Sequence, residues 1–132
     1  MGFIGVSAQG GRTELWFHLE HSLTSGVGQF NFNFTYANHM LQDGKRAQRS
    51  LNKRGRRLLA RILPMQGVRS MFVRANRLEV LVWTEEAWEG LLVPIVAVIR
   101  EETGDLQAQV GLETQFMEPG RWPAPLLEVL FG

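Results

Sequence analysis

Cysteine is absent from this 132-residue sequence. Its absence excludes disulfides, a catalytic thiol, zinc sites built on thiolates and iron–sulfur clusters held by cysteine within this chain. Long apolar runs are missing too. The longest, Leu91 to Ile99, is far short of the roughly 20 residues that a membrane span needs, so no membrane partner is expected. The first residues, Met1-Gly-Phe-Ile-Gly5, carry no positive charge, and no signal peptide is expected. Val6 stands where a myristoylation signal has Ser or Thr. With nothing directing export, a cytoplasmic location is the expectation. Basic charge is scarce late in the chain: from Glu79 onward ten acidic residues face only Arg100 and Arg121.

The basic residues are concentrated earlier. Eight of the fourteen lysines and arginines lie between Lys45 and Arg61. The formal charge of +1 therefore hides a basic middle and an acidic C-terminal part, an asymmetry that points to a partner carrying anionic groups. Composition is otherwise ordinary for a globular domain, with 45% hydrophobic and 20% charged residues.

Periodicity gives the element order. Phe3 to Val6 is β-prone, and Ser7 to Arg12, with Gly10 and Gly11, reads as a turn. From Thr13 to Glu20, Leu15, Phe17 and Leu19 alternate with polar residues and Trp16, the pattern of a half-buried strand. These two segments are expected to pair as a hairpin. After a loop over 21–28, Phe30, Phe32, Phe34 and Tyr36 share one face of a strand over Gln29 to Tyr36. That face is read as core, because buried aromatics dominate core energetics.

The basic run reads as a helix capped by Asp43 or Ser50 and stopped by Pro64. Ala47, Leu51, Gly55, Leu58 and Ile62 make one apolar stripe along it. Arg46, Arg49, Lys53 and Arg56 or Arg57 make a basic stripe on another face. Gly55 weakens a helix by roughly 1 kcal/mol relative to Ala. Two readings follow: a helix through the whole run, or one starting near Gly55 with Gly44 to Arg54 as a mobile basic arm.

Val68 to Arg74 and Arg77 to Trp83 read as a hairpin around Ala75-Asn76, with Asn76 suited to the left-handed region. Thr84 looks like an N-cap followed by Glu85 and Glu86. The next helix buries Trp88, Leu91, Leu92, Ile95, Val98 and Ile99. Pro94 is expected to kink or divide it, and Thr103-Gly104-Asp105 ends it. Leu106 to Phe116 reads as a further strand.

The fold expected is a two-layer α+β sandwich, a mostly antiparallel sheet of four or five strands with two helices on one face. Residues 1–104 form the domain and 105–132 an extension, an extra strand or arm.

The block from Leu58 to Trp88 resembles the N-terminal domain of Nfu/NifU-type iron–sulfur scaffold proteins. Gly67-Val68, Ser70-Met-Phe72, Asn76, Val80 and Trp88 match that pattern, and Thr13 to Leu19 looks like the family's early strand. The likeness spans roughly residues 2 to 102. Its motifs shape the fold rather than a site. Gln9-Gly-Gly-Arg12 replaces the family's Pro-Asn-rich turn, and Pro94 follows Trp88 by six residues rather than five. The basic run and the tail have no counterpart. In two-domain members a Cys-x-x-Cys in a separate domain holds the cluster. The resemblance thus implies an accessory or client-docking role, with a protein client or scaffold partner and no cofactor.

Catalytic motifs are not met. Ser7, Ser22, Ser25, Ser50 and Ser70 lie in no nucleophile-elbow context. Gly10-Gly11 and Gly26-Val-Gly28 lack the setting of a phosphate loop. His18, Glu20 and His21 are better read as polar strand and loop residues than as metal ligands. Glu85, Glu86 and Glu89 are better read as helix-start acids than as acid/base catalysts.

The site expected is therefore Arg46, Arg49, Lys53, Arg54, Arg56, Arg57 and Arg61, contacting an anionic partner. The leading reading is a non-enzymatic protein-interaction domain. The alternative is a nucleic-acid-binding protein using the same surface. A solvated face, or pairing with the chain's own acidic part, is the competing explanation of the same residues. A small enzyme is a third reading and requires a deep polar cleft.

Overall fold

The computed structural model describes residues 2–8, 12–25 and 32–112. Among them the fold is α+β. Strands β1 (Phe3–Ser7) and β2 (Glu14–His18) are followed by β3 (Phe34–Thr35) and helices α1 (Gln42–Gln48) and α2 (Lys53–Ile62). Strands β4 (Val68–Val73) and β5 (Arg77–Val82) come next, then a 3-10 turn over Glu85–Ala87, helix α3 (Trp88–Thr103) and strand β6 (Gln109–Leu112).

The strands make one sheet in the order β3-β4-β5-β2-β1-β6. Neighbours are antiparallel except β6, which runs parallel to β1 with Ile4 opposite Val110. The sheet thus has six strands rather than four or five, because the segment after α3 supplies an edge strand and the short β3 supplies the other edge. The chain from β5 to β6 crosses over through α3, as a parallel return requires.

Alternation decides which face is covered. Leu15 and Phe17 on β2, Leu78, Val80 and Val82 on β5, Met71 and Val73 on β4, and Ile4 and Val6 on β1 are all buried. They join Leu58, Leu59 and Ile62 of α2 and Trp88, Leu92, Ile95 and Ile99 of α3 in one core. Trp88 is fully buried, 6.3 Å from Phe17 between ring centroids. Its indole N–H donates to the Arg12 carbonyl at 3.1 Å, so the largest core side chain carries no orphaned polar group.

Several expectations need correction. The basic run is two helices, not one helix and not an arm ahead of one. Ser50 and Leu51 donate their backbone N–H groups to Ala47 and Gln48 in tight turns. Leu51 then bridges to Thr24, with the Ser50 carbonyl accepting from Ser25 N–H and Asn52 N–H donating to the Leu23 carbonyl. Backbone groups that a continuous helix would use are spent on the 22–25 loop instead. Asn52, not Asp43 or Ser50, caps α2: its Oδ1 accepts from Gly55 N–H at 2.8 Å. An added Cβ at Gly55 would run into the Leu23 carbonyl oxygen, so this glycine permits a close approach. The apolar stripe itself holds, since Ala47, Leu51, Gly55, Leu58 and Ile62 are all buried.

Tyr36 is 66% exposed. β3 ends at Thr35 and the chain turns, so Tyr36 leaves the aromatic face. Phe34 remains buried, with Phe32 edge-on to it at 4.8 Å; Phe30 lies outside the described residues. Asn76 takes no left-handed conformation, since no described residue other than glycine has positive φ. Its carbonyl accepts from Leu19 N–H and that of Ala75 from Leu23 N–H, which ties the hairpin turn to the chain leaving β2. Thr84 precedes the 3-10 turn without a side-chain cap bond. Pro94 does not divide α3, which runs through it. Gly104, at φ 71°, closes α3, with Asp105 N–H donating to the Arg100 carbonyl. Of the strand expected over 106–116, Gln109–Leu112 forms; residues 113–116 lie outside the described residues.

Two of the helical glycines, Gly55 and Gly90, should respond oppositely to alanine. Gly55→Ala is expected to cost about 1 to 3 kcal/mol, because the Leu23 backbone must move. Gly90→Ala, with nothing within 4 Å of its added Cβ, should raise stability by up to about 1 kcal/mol. Urea midpoints of the two variants check both signs.

Candidate interaction surface

Arg54 apart, the cations of the basic run fall into two sets. Arg57 and Arg61 lie one turn apart on α2 and face the end of α3. Arg57 Nε reaches Glu102 at 3.0 Å, while Arg61 reaches Glu101 at 2.7 Å and Glu102 at 3.0 Å. Glu102 keeps only 8% of its side chain exposed. Two acids in the last turn of a helix oppose its dipole, and the arginines supply the compensating charge. Hydrogen bonds to Glu101 and then Glu102 hold the Arg61 guanidinium above its ordinary range. A raised value of this kind contributes stability that is complete below arginine's unfolded titration and lost only above it. No physiological pH change releases this cation.

Arg54 is half-buried and points its Nη1 at the Ser22 carbonyl, 3.3 Å away. Its Nε is buried without a hydrogen-bond partner among the described residues. Its guanidinium is therefore turned into the 22–25 loop.

The other set faces outward. Lys45 and Arg46 on α1, Arg49 just after it, and Lys53 on α2 are exposed and form no salt bridge among the described residues. Arg56 is also exposed, and its Nη1 donates to the Leu51 carbonyl at 3.1 Å. The one acid on α1, Asp43, sits in the first turn, where it suits the dipole.

Between these helices lies a groove of about 250 Å³. His39 and Met40 wall it from the turn after β3, Lys45 and Gln48 from α1, and Arg56, Leu59 and Ala60 from α2. The turn is fixed on both sides. Thr35 N–H donates to Asn38 Oδ1 and Asn38 N–H to Thr35 Oγ1, at 2.8 and 3.1 Å. Gln48 Nε2 donates to the His39 carbonyl at 2.9 Å. An added Cβ at Gly44 would run into the Asn38 carbonyl oxygen, so the turn lies directly on the α1 backbone. Beside the groove Tyr36, Met40 and Leu41 are exposed by 66%, 63% and 59%.

Sequence reasoning missed this groove. The aromatic alternation places Tyr36 in the core, and no predicted element covers Met40 and Leu41. Three large apolar residues within six positions, directly ahead of the basic run, were the available signal.

The remaining candidates are scattered. His18 Nε2 lies 3.0 Å from Ser7 Oγ on neighbouring strands, while Glu20 is exposed past the end of β2. No group of three potential metal ligands converges among the described residues. Glu85 pairs with Arg12 at 3.5 Å, and Glu86 and Glu89 are exposed. The sheet face away from the helices holds a separate ion-pair cluster: Glu79, 4% exposed, accepts from both Arg74 and Arg77 at 3.0 Å. Arg77 stacks over Trp16 at 4.0 Å and Arg74 over Phe72 at 4.8 Å. No helix among the described residues is long and apolar enough to cross a membrane.

Replacing Glu101 and Glu102 together by glutamine should lower thermal stability, little through the exposed Glu101 pair and more through Glu102, whose side chain is only 8% exposed. The wild-type advantage should shrink as salt is added. Melting temperatures at low and high ionic strength check this. Compared with known proteins, the chain matches no family model, no curated protein and no solved structure.

Proposed function

We propose that this chain is a non-enzymatic interaction domain that docks an acidic segment of a protein partner on α1 and the first half of α2. The observation that carries the reading is the partition of the basic run. Arg57 and Arg61 are neutralised within the chain, whereas Lys45, Arg46, Arg49, Lys53 and Arg56 have no carboxylate partner among the described residues. Like charges gathered on one surface repel one another, and an anionic partner relieves that repulsion. Competition from the chain's own acids thus accounts for Arg57 and Arg61, the 22–25 loop takes Arg54, and the other five face outward.

The resemblance to Nfu/NifU-type N-terminal domains gives the reading a second support. The resemblance implies a short helix, a Gly-Val leading into a hairpin, an acidic stretch and a Trp opening the last helix; α2, the Gly67-led hairpin, Glu85-Glu86 and Trp88 follow one another in that order. A domain of that kind would act as an accessory or client-docking module in iron–sulfur assembly. Nothing in the reading asks this chain to hold a cluster.

Charge reversal separates the two sets of arginines. R46E/R49E/K53E should weaken binding of a labelled poly-glutamate peptide on the order of tenfold, while R57E/R61E should change it little. Fluorescence anisotropy at two salt concentrations reads both. Preferential, strongly salt-dependent binding of a single-stranded oligonucleotide, with no measurable peptide binding, would replace the protein partner by nucleic acid.

A further inference from the structure

We propose that the groove between the turn at His39-Met40 and α2 seats one large apolar side chain of the acidic partner segment, with Lys45 and Arg56 pairing carboxylates on either side of it. This rests on the reading above, that an acidic protein segment docks on α1 and α2.

Three observations support it. The first is size: at about 250 Å³ the groove is smaller than the usual 300–1,000 Å³ of small-molecule sites, and suits a side chain better than a cofactor. The second is chemistry. Met40, Leu59 and Ala60 are apolar, and the two cations on the walls, Lys45 and Arg56, form no salt bridge among the described residues. An apolar anchor flanked by acids is complementary to that arrangement, whereas a uniformly acidic strand leaves the apolar part unused. The third is rigidity. Gln48 binds the His39 carbonyl at 2.9 Å, and His39 Nδ1 lies 2.8 Å from the Tyr36 carbonyl oxygen. A carbonyl only accepts, so Nδ1 carries the proton in that contact. With the walls held, binding orders little of this chain, which favours affinity.

A short protruding anchor also distinguishes a peptide from a lipid surface. Exposed Tyr36, Met40 and Leu41 beside basic helices would suit an anionic bilayer too, but a bilayer has no use for a concave groove.

The test compares three labelled probes on the full chain: an acidic peptide with alternating leucines, a leucine-free peptide of equal length and charge with serine in their place, and phosphatidylserine vesicles. The leucine peptide should bind about tenfold tighter or more, the preference expected from burying a leucine side chain. Ala60→Trp, at an exposed position of α2, should fill the groove and abolish that preference. Met40→Ser should reduce the preference and serves as a second variant if Ala60→Trp disturbs folding. Equal affinity for the two peptides in the wild-type chain overturns the groove proposal and leaves the acidic-partner reading standing. Failure of both peptides to bind overturns both. Vesicle binding that the leucine peptide cannot compete away overturns the peptide anchor in favour of a membrane surface.

Discussion

The architecture of the basic region depends on one close approach, that of the Leu23 carbonyl to the start of α2. This oxygen accepts from Asn52 N–H at 3.0 Å and lies where a side chain on Gly55 would otherwise be. Leu23 N–H in turn donates to the Ala75 carbonyl in the β4–β5 turn at 2.7 Å. One residue thus links the central hairpin to the helical layer. Its carbonyl and the Thr24–Leu51 bridge occupy the backbone between Gln48 and Lys53, so the chain cannot continue as one helix. Without that break α1 and α2 would be collinear, and there would be no groove between α2 and the turn that leads into α1.

The same break governs electrostatics. A single straight helix would place its arginines along one continuous stripe. Two helices let the later part of α2 lie beside α3, where Arg57 and Arg61 meet Glu101 and Glu102, while α1 carries its cations elsewhere. The acids of α3 stand at the unfavourable end of a helix dipole, so this internal pairing serves α3 as much as α2. The protein thus divides one run of sequence between a structural role and an outward-facing one. On the opposite side of the sheet Glu79 holds Arg74 and Arg77 over two aromatic rings, and those cations are likewise committed internally.

Much of the fold was legible because it rests on local alternation. Leu15 and Phe17, or Leu78, Val80 and Val82, sit at period two and are buried accordingly. Trp88 to Ile99 sits at helical spacing and does the same. The stripe from Ala47 to Ile62 was legible as an apolar face although not as two helices, because burial follows spacing while the break depends on a partner loop far away in sequence. Tyr36 misled for a related reason. It continues the alternation of Phe32 and Phe34, but the Thr35–Asn38 turn redirects the chain one residue earlier than periodicity alone indicates. The six-stranded count depended on Gln109–Leu112 finding β1, a parallel pairing between distant segments that leaves only a weak local mark.

The sequence by itself determined the absence of thiol chemistry, the α+β class, the core-facing residues of β2, β5 and α3, and the concentration of basic charge between Lys45 and Arg61. These follow from composition and spacing, which are properties of neighbours along the chain. Only the tertiary structure decided which of those cations are neutralised. It also revealed that Gly55 serves a contact rather than a weakness, and that Met40 and Ala60 share a groove. Each of these depends on segments distant in sequence meeting at a few ångströms, and neither charge pairing nor a concavity exists until they do.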